Sequence, residues 1–315
     1  MESSNNSNTI TCGFEGDQDV YGLGIRGGIY LQWFATVLVY NLLPEEVASA
    51  EAINIGFQFS VFVALVYRTV TDSGIYGVEA YIMLMLCIGG LSSRRGTYAV
   101  RSTRQDLRDL ERTGKHLVSE MATPIGIASG FAVDLAILCY GLWYIYKGLD
   151  GMQMDPCFES TVFFFARLRL QGRFRRFVAA AFTIISVVFC TILAAILRFF
   201  ISVITDHRSI SPLFENIYDV QGRLIRPRAQ GSRGTNEYVW IISVIFPLDL
   251  VFFILSTELT ISYNAVNGVN TITSTGQLIP IVVGGTSLLV TLYEIWLKWR
   301  GDEFSEHDPA YSVSS

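Results

Sequence analysis

Apolar runs of about 20 residues recur along this chain and constrain its fold more than any other feature. A helix of about that length crosses the hydrocarbon core of a bilayer, and 51% of the residues are hydrophobic whereas 16% are charged. We predict one transmembrane helical domain at 19–300, between a flexible lumenal tail at 1–18 and a disordered cytosolic tail at 301–315. The expected fold is all-α, a polytopic bundle of about seven spans: 22–41, 51–70, 74–92, 124–146, 177–204, 238–262 and 278–298.

The positions of arginine and lysine predict the orientation. Basic residues concentrate at 92–123, at 205–237 and at Arg300, and seven spans place all three on the same side of the membrane. Cytosolic loops carry the excess of Lys and Arg, so we expect a lumenal N-terminus and a cytosolic C-terminus in a multi-pass protein of the endoplasmic reticulum. Cys12 and Cys157 then share the oxidising side, where a disulfide between them can form.

The segment 158–177 does not fit a simple pattern of spans. Its apolar residues share one helical face and its arginines an adjacent one: Phe163, Leu170, Phe174 and Phe177 against Arg169, Arg173 and Arg176. This pattern predicts an amphipathic helix lying in the membrane interface. A basic interfacial helix favours the anionic cytosolic leaflet, whereas span parity puts the segment outside. Either it is re-entrant and its arginines have an anionic partner, or the span count is off by one.

Charged side chains stand where the first apolar run begins. A charge at membrane depth suggests function and needs a partner, and Asp19 and Arg26 are natural partners for each other; the alternative is that Arg26 snorkels to the headgroups. A G-x-G-x-x-G spacing begins at Gly22, but the dinucleotide fingerprint requires a preceding strand and a βαβ unit. Gly24 and Gly28 instead predict the close approach of another helix.

Acidic and amide side chains also lie inside later runs. Glu79 falls about one turn below the outer surface, and Glu258 ends the sixth span on the same side. Seven polar residues from distant parts of the chain are therefore predicted to converge at the lumenal end: Asp19, Arg26, Gln32, Glu79, Glu258, Asn264 and Gln277. Asp134 and Asp249, near mid-depth, are interpreted first as protonated interhelical hydrogen-bond partners, and Glu294 as an interface residue.

This convergence favours proton-initiated chemistry on an apolar substrate. Burial disfavours the ionised form of a carboxyl group, so Glu79 or Glu258 is predicted to stay protonated and to act as a general acid. A proton delivered to an epoxide or an olefin in a dry cavity generates a carbocation. Asp19, together with Arg26, would shape or reprotonate the acid.

The remaining polar and aromatic residues of this end would handle the substrate, a lipophilic small molecule that partitions into the bilayer. Gln32, Asn264 and Gln277 would orient its polar end. Aromatic faces stabilise a cation by cation–π attraction, and four rings are candidates: Tyr30, Trp33, Tyr76 and Tyr263.

Composition and motifs exclude several other classes. The net charge of −5 disfavours nucleic acid as a partner, because such partners require a basic surface. All three histidines fall outside the apolar runs, so we predict no His-ligated metal within the membrane. No Asp-Asp-x-x-Asp cluster for a magnesium-bound diphosphate lies within the spans. These observations predict no intramembrane metal site.

Three stretches carry a resemblance to known proteins: the run from Tyr21 to Trp33, the step Glu258-Leu259-Thr260-Ile261, and the run from Ser274 to Pro280. They resemble a large group of filamentous-fungal multi-pass membrane proteins that includes the membrane-bound meroterpenoid cyclases of the ascochlorin, ascofuranone and macrophorin pathways. The resemblance covers most of 12–298. It implies a cyclising isomerase or lyase of fungal secondary metabolism that acts on a farnesylated aromatic or polyketide without metal or redox cofactor. A prenyltransferase or oxygenase of the same pathway would be a candidate partner in the membrane.

Other functions stay open at this point. Buried carboxylates also serve as proton-coupling sites, so a transporter or exporter of a small apolar metabolite is the main alternative. A seven-span receptor has less support, because no Asp-Arg-Tyr follows the third span and no Asn-Pro-x-x-Tyr lies in the seventh. A purely structural membrane protein would tolerate replacement of every polar residue named above.

Overall fold

The computed structural model describes residues 12–43, 46–71, 74–108, 124–154, 161–205 and 233–306, and most of these are helical. The helices are α1 (Gln18–Tyr21), α2 (Leu23–Leu42), α3 (Val47–Thr71), α4 (Gly77–Arg108), α5 (Pro124–Trp143), α6 (Leu149–Gly151), α7 (Arg173–Thr205), α8 (Arg233–Tyr263) and α9 (Thr275–Glu306). A π-helical turn, Tyr144–Gly148, joins α5 to α6, and two short strands, β1 (Thr161–Phe163) and β2 (Arg167–Arg169), precede α7.

Four helical segments within the described ranges are long and apolar enough to cross a membrane: Ser49–Thr71, Ser129–Gly151, Arg173–Thr191 and Thr275–Arg300. They coincide with the second, fourth, fifth and seventh predicted runs. These segments support a membrane protein, while the total of seven spans stays a prediction.

Helix α4 forms the centre of the bundle. Every residue from Gly77 to Cys87 is buried, and α2, α3, α5 and α8 all pack against this helix. A helix that is covered on all sides belongs to the interior of a bundle. The outward faces of α3, α7 and α9 are instead apolar and exposed, as at Val63, Ile184 and Leu289, which suits contact with lipid.

Helices α2 and α9 approach each other closely through glycines. A Cβ atom added at Gly24 would lie 2.8 Å from Cβ of Gln277, and one added at Gly28 would lie 2.8 Å from the backbone nitrogen of Ile281. Gly284 of α9 faces the backbone of Gly28 in the same way. Small residues spaced by four let two helix backbones meet, so the prediction made from Gly24 and Gly28 is confirmed.

The predicted interfacial helix is wrong in its first half, because residues 161–169 form an antiparallel hairpin. Thr161 pairs with Arg169, and Phe163 pairs with Arg167. Helix begins only at Arg173. Three-residue strands are too short for their alternation to be distinguished from a helical period in the sequence.

Side chains of α8 hold the free edge of β1. The backbone nitrogen of Phe163 donates to Oγ1 of Thr260 (3.1 Å), and Oγ of Ser256 donates to the carbonyl of Phe163 (2.8 Å). Nδ2 of Asn264 donates to the carbonyl of Thr161. Residues four apart share a helix face, so Ser256, Thr260 and Asn264 act together as a substitute for a neighbouring strand.

Both aspartates that were predicted to lie near mid-depth bind across helices. Asp134 accepts a hydrogen bond from Arg94, whose guanidinium also donates to Oε1 of Gln58 at 2.8 Å. Asp249 accepts from Oγ of Ser92. The predicted interhelical role is confirmed, but Asp134 forms an ion pair with an arginine rather than the neutral contact that was expected.

The ends of the domain differ from the prediction. Phe14 lies within the predicted flexible tail, yet it is buried and stacks on Tyr76 with ring centroids 4.2 Å apart. The helix α9 continues to Glu306, into the predicted cytosolic tail. Cys12 is disulfide-bonded, whereas its predicted partner Cys157 lies outside the described residues, so that pairing stays a prediction.

Adding a methyl group at the α2–α9 contact should destabilise the bundle. Gly28→Ala places a Cβ against the backbone of α9, where overpacking costs about 1–3 kcal/mol. Gly27→Ala is the matched control, since its Cβ would lie 3.6 Å from the nearest atom, Cδ1 of Ile281, in ordinary contact. Unfolding of the purified protein by SDS in mixed micelles measures the difference. Equal stability of the two variants would contradict the close packing.

Candidate functional site

Arg26 occupies the second turn of α2 and is fully enclosed, with its side chain 1% exposed. Its Nε donates to Oε1 of Glu258 (2.8 Å) and its Nη2 to Oε2 of the same carboxylate (3.3 Å). The guanidinium also donates to the backbone carbonyl of Tyr21 (2.8 Å) and to Oδ1 of Asn270 (3.1 Å). A guanidinium has five N–H donors in a fixed fork, so one side chain ties together three parts of the chain.

The partner of Arg26 is therefore Glu258, and the predicted pairing with Asp19 is wrong. The snorkelling alternative is also wrong, because the guanidinium points into the bundle. Glu258 lies on α8 about one turn before its end and contacts Arg26 directly, whereas Asp19 lies on the short α1 helix and its carboxylate binds Ser274.

Glu258 accepts a third hydrogen bond, from the hydroxyl of Tyr30 at 2.8 Å. Its side chain is 37% exposed, so Glu258 is the more accessible member of the pair. Charge-assisted, bidentate contacts to a guanidinium stabilise a carboxylate. This geometry does not suit the predicted protonated acid at Glu258.

Glu79 belongs to a second ion pair at the same end of the bundle. Nη2 of Arg68 donates to both carboxylate oxygens of Glu79, at 3.2 and 3.3 Å, while Nη1 donates to Oδ2 of Asp17 at 2.8 Å. The hydroxyl of Tyr21 donates to Oε1 of Glu79 at 3.2 Å. The Glu79 side chain is thus 2% exposed, and its carboxylate is bound by Arg68 and Tyr21.

Tyr21 links Glu79 to the Arg26–Glu258 pair. Its hydroxyl donates to Glu79, and its backbone carbonyl accepts from Arg26. Burial, reinforced by the neighbouring Glu79 carboxylate, raises the pKa of the Tyr21 phenol well above its ordinary value, so this residue stays a proton-bearing donor. Of the seven residues predicted to converge, the structure brings Glu79, Arg26 and Glu258 together, with Tyr21 as the link.

Asp19 lines a cavity, and its backbone nitrogen donates at 2.9 Å to Oδ1 of Asp17, the acid that Arg68 also binds. Oδ1 of Asp19 accepts from Oγ of Ser274 at 2.6 Å. The cavity has a volume of about 440 Å³, within the range of roughly 300–1,000 Å³ typical of small-molecule sites. We call this cavity the α3–α9 groove; its walls include Ile25 of α2, Ile53, Phe57 and Val61 of α3, and Ile279 and Val283 of α9. Asp19 is the acid among its lining residues.

Other predicted site residues have packing roles away from the groove. Gln32 donates to the carbonyl of Ala50 at 3.2 Å, about 9 Å further along α2 than Arg26 at 1.5 Å per residue. Trp33 is buried against Gly89.

Two further predicted residues form hydrogen bonds with backbone groups of other elements. Gln277 accepts from the backbone nitrogen of Gly24 at 3.2 Å, and Asn264 holds the hairpin through the carbonyl of Thr161. Of the predicted aromatic faces, Tyr30 binds Glu258 and none of the four rings lines the groove, where Phe57 is the aromatic contact.

Arg68 is the principal residue that the sequence analysis missed. It lies inside the run 51–70, so the criterion that selected Glu79, an ionisable group within an apolar run, also applies to Arg68. The same run contains Asn54 and Gln58, which are buried and bind α4. Tyr21 could not be identified in the same way. The chain has 15 tyrosines, and nothing in the sequence separates this one from the others.

A scan against family models finds no match for this chain, and neither the curated proteins nor the solved structures contain a significant relative. The resemblance to fungal cyclases therefore stays a proposal.

The two partners of the Arg26–Glu258 pair should respond unequally to neutralisation. Glu258→Gln leaves a guanidinium that is 1% exposed with neutral acceptors only, whereas Arg26→Gln leaves a carboxylate that is 37% exposed and can be hydrated. Losing one partner of a buried pair costs about 3–5 kcal/mol, so we expect Glu258→Gln to approach this range and Arg26→Gln to cost clearly less.

The SDS titration used for the glycine variants measures both costs, with Glu294→Gln near the other end of α9 as a control that should unfold like the unaltered protein. A larger cost for Arg26→Gln than for Glu258→Gln would show that the guanidinium is not the buried member of the pair.

Proposed function

We propose that this protein is a membrane-bound terpene cyclase that performs proton-initiated cyclisation of a prenylated, meroterpenoid intermediate. The observation that carries the proposal is an acid, Asp19, at the polar end of an apolar groove between helices that face lipid. A prenyl chain already dissolved in the bilayer can enter such a groove sideways, and each buried methylene favours binding by about 0.8 kcal/mol.

Asp19 is the proposed proton donor in this reaction. Its O–H bond breaks and the proton passes to an epoxide oxygen, whose C–O bond opens, or to a terminal olefin carbon. The next double bond attacks the resulting cation and closes a ring. The final cation then loses a proton to the Asp19 carboxylate, which regenerates both an olefin and the acid. Ser274, which donates to Asp19 at 2.6 Å, stabilises the carboxylate left behind.

Apolar walls suit the later part of this reaction. Asp19 is exposed in the structure, and a substrate that fills the groove would bury its carboxyl group, which favours the protonated form. The same substrate keeps water from the cation, and the ring of Phe57 offers a face for cation–π attraction. Glu79 and Glu258 are proposed as positioning residues, since their arginine partners fix the ends of α2, α3, α4 and α8 around the groove mouth.

The proposed setting is the endoplasmic reticulum membrane of a filamentous fungus, with the N-terminus lumenal and the C-terminus cytosolic. A pathway prenyltransferase would supply the farnesylated substrate, and an oxygenase would supply its epoxide.

A proton-coupled transporter of an apolar metabolite is the second candidate. It is favoured by ionisable pairs at two depths, Arg68–Glu79 at the lumenal end and Arg94–Asp134 deeper in the bundle, because intramembrane acid–base pairs also form proton relays. A transporter would release its solute chemically unchanged.

Asp19→Asn should abolish cyclisation while leaving the fold intact. General acid catalysis contributes typically 10²–10⁴-fold, so we expect product formation to fall by about 100-fold or more in microsomes supplied with farnesyl phenol and its terminal epoxide. The exposed position of Asp19 predicts an unchanged unfolding midpoint. Glu294→Gln is the matched carboxyl-to-amide control and should keep full activity.

Full cyclisation by Asp19→Asn would remove this residue from the chemistry. If the unaltered protein forms no product but gives a proton-dependent flux of unchanged solute in proteoliposomes, the transporter is supported instead.

A further inference from the structure

The β1–β2 hairpin reaches below the lumenal surface of the bundle. Phe165 at its tip stacks on Phe252 of α8, with ring centroids 4.6 Å apart. Phe252 precedes Glu258 by six residues, which is about 9 Å along a helix. The tip therefore lies deeper in the bundle than the Arg26–Glu258 pair, so the segment is re-entrant.

The tip is apolar, exposed and strained. Phe165 is 76% exposed and has a φ of 57°, a region that bulky residues rarely adopt and that glycine or asparagine would occupy more easily. Backbone strain of this kind tends to persist where the side chain has a use. Its neighbours Phe164 and Phe177 extend the aromatic surface.

Exposed arginines follow the tip along the chain. Arg167 and Arg169 lie two apart on β2 and so share a face of the hairpin, and Arg173 and Arg176 lie three apart in the first turn of α7 and so share a helix face; all four are exposed. The guanidinium of Arg167 lies 5.0 Å from the ring centroid of Tyr263, near the end of α8, so this side chain extends from the tip back toward the surface.

Strand β2 carries the exposed arginines Arg167 and Arg169, and no third strand among the described residues covers its outer edge. Water and headgroup oxygens are the groups that a membrane can supply at this depth, and arginines would draw them in by snorkelling.

We propose that the hairpin is a phospholipid-binding element of the membrane protein, independent of the proposed cyclisation. Phe165 enters the acyl-chain region, while Arg167, Arg169, Arg173 and Arg176 bind headgroup phosphates of the lumenal leaflet. Charge complementarity selects phosphate, because guanidinium groups bind its oxygens in pairs. The phosphate is common to zwitterionic and anionic phospholipids, so this assignment does not require an anionic leaflet.

Spin labelling tests the depth of the tip. Phe165→Cys is labelled in a Cys139→Ala, Cys190→Ala background and reconstituted in phosphatidylcholine vesicles. Collisions with oxygen and with a water-soluble nickel chelate report depth. We expect the label to match one at lipid-facing Ile184 rather than one at Ile272 in the exposed loop before α9. Nickel accessibility equal to that of Ile272, or spin–spin broadening from a second copy at the β2 edge, would overturn the proposal.

Neutralising the arginines tests phosphate binding. The unaltered protein should melt at a higher temperature in phosphatidylcholine bilayers than in bilayers of a phosphate-free galactolipid. We expect Arg167→Gln with Arg169→Gln, and separately Arg173→Gln with Arg176→Gln, to remove at least half of that difference. The corresponding lysine pairs should retain most of it, and Gln171→Ala should leave it unchanged.

A difference in melting temperature that survives both glutamine pairs would show that the arginines do not bind lipid phosphate, even if the tip is buried. Loss of the difference in the lysine pairs as well as in Gln171→Ala would assign it to local unfolding and would also overturn the proposal. Cyclisation does not enter either readout, so failure here is separate from failure of the proposed function.

Discussion

Enclosing one guanidinium inside an apolar helix bundle is the constraint on which this end of the protein depends. Arg26 is tolerated there because all three of its side-chain nitrogens donate to acceptors, and those acceptors come from the last residue of α1, from α8 and from the loop before α9. The same loop returns to the N-terminal segment through Asn267, which accepts from the backbone nitrogen of Gly16. Arg26 thus fixes the elements that carry Asp19 and Ser274.

The α3–α9 groove follows from how the neighbouring helices are packed. Glycines hold α9 against α2, while α3 presents Gly56, Ser60 and Ala64 to the groove, and a Cβ added at Gly56 would meet no atom within 4 Å. Small residues at a spacing of four usually let helices touch. Here they leave room for an apolar ligand, which is why the proposed chemistry belongs to Asp19 rather than to the two paired glutamates.

Apolar run length and glycine spacing predicted a helical membrane bundle and the α2–α9 contact, because both depend on local sequence. That Arg26 needs an anionic partner also followed from the sequence, since charges within apolar runs must be paired. The pairing itself was not predictable: Asp19 is nearer in sequence, but only Glu258 shares the level of Arg26. The hairpin was not predicted, because it is stabilised by Ser256, Thr260 and Asn264, which lie about 100 residues away in the sequence.

The most direct test of the account is to map where a substrate lies. A farnesyl phenol with a diazirine on its terminal isoprene unit would be irradiated with the protein in microsomes, and labelled peptides identified by mass spectrometry. The account predicts labelling of groove residues such as Ile53, Ile279 and Val283, suppressed by excess unlabelled farnesyl phenol. Labelling that falls on outward faces such as Ile184 and is not suppressed would contradict a substrate site beside Asp19.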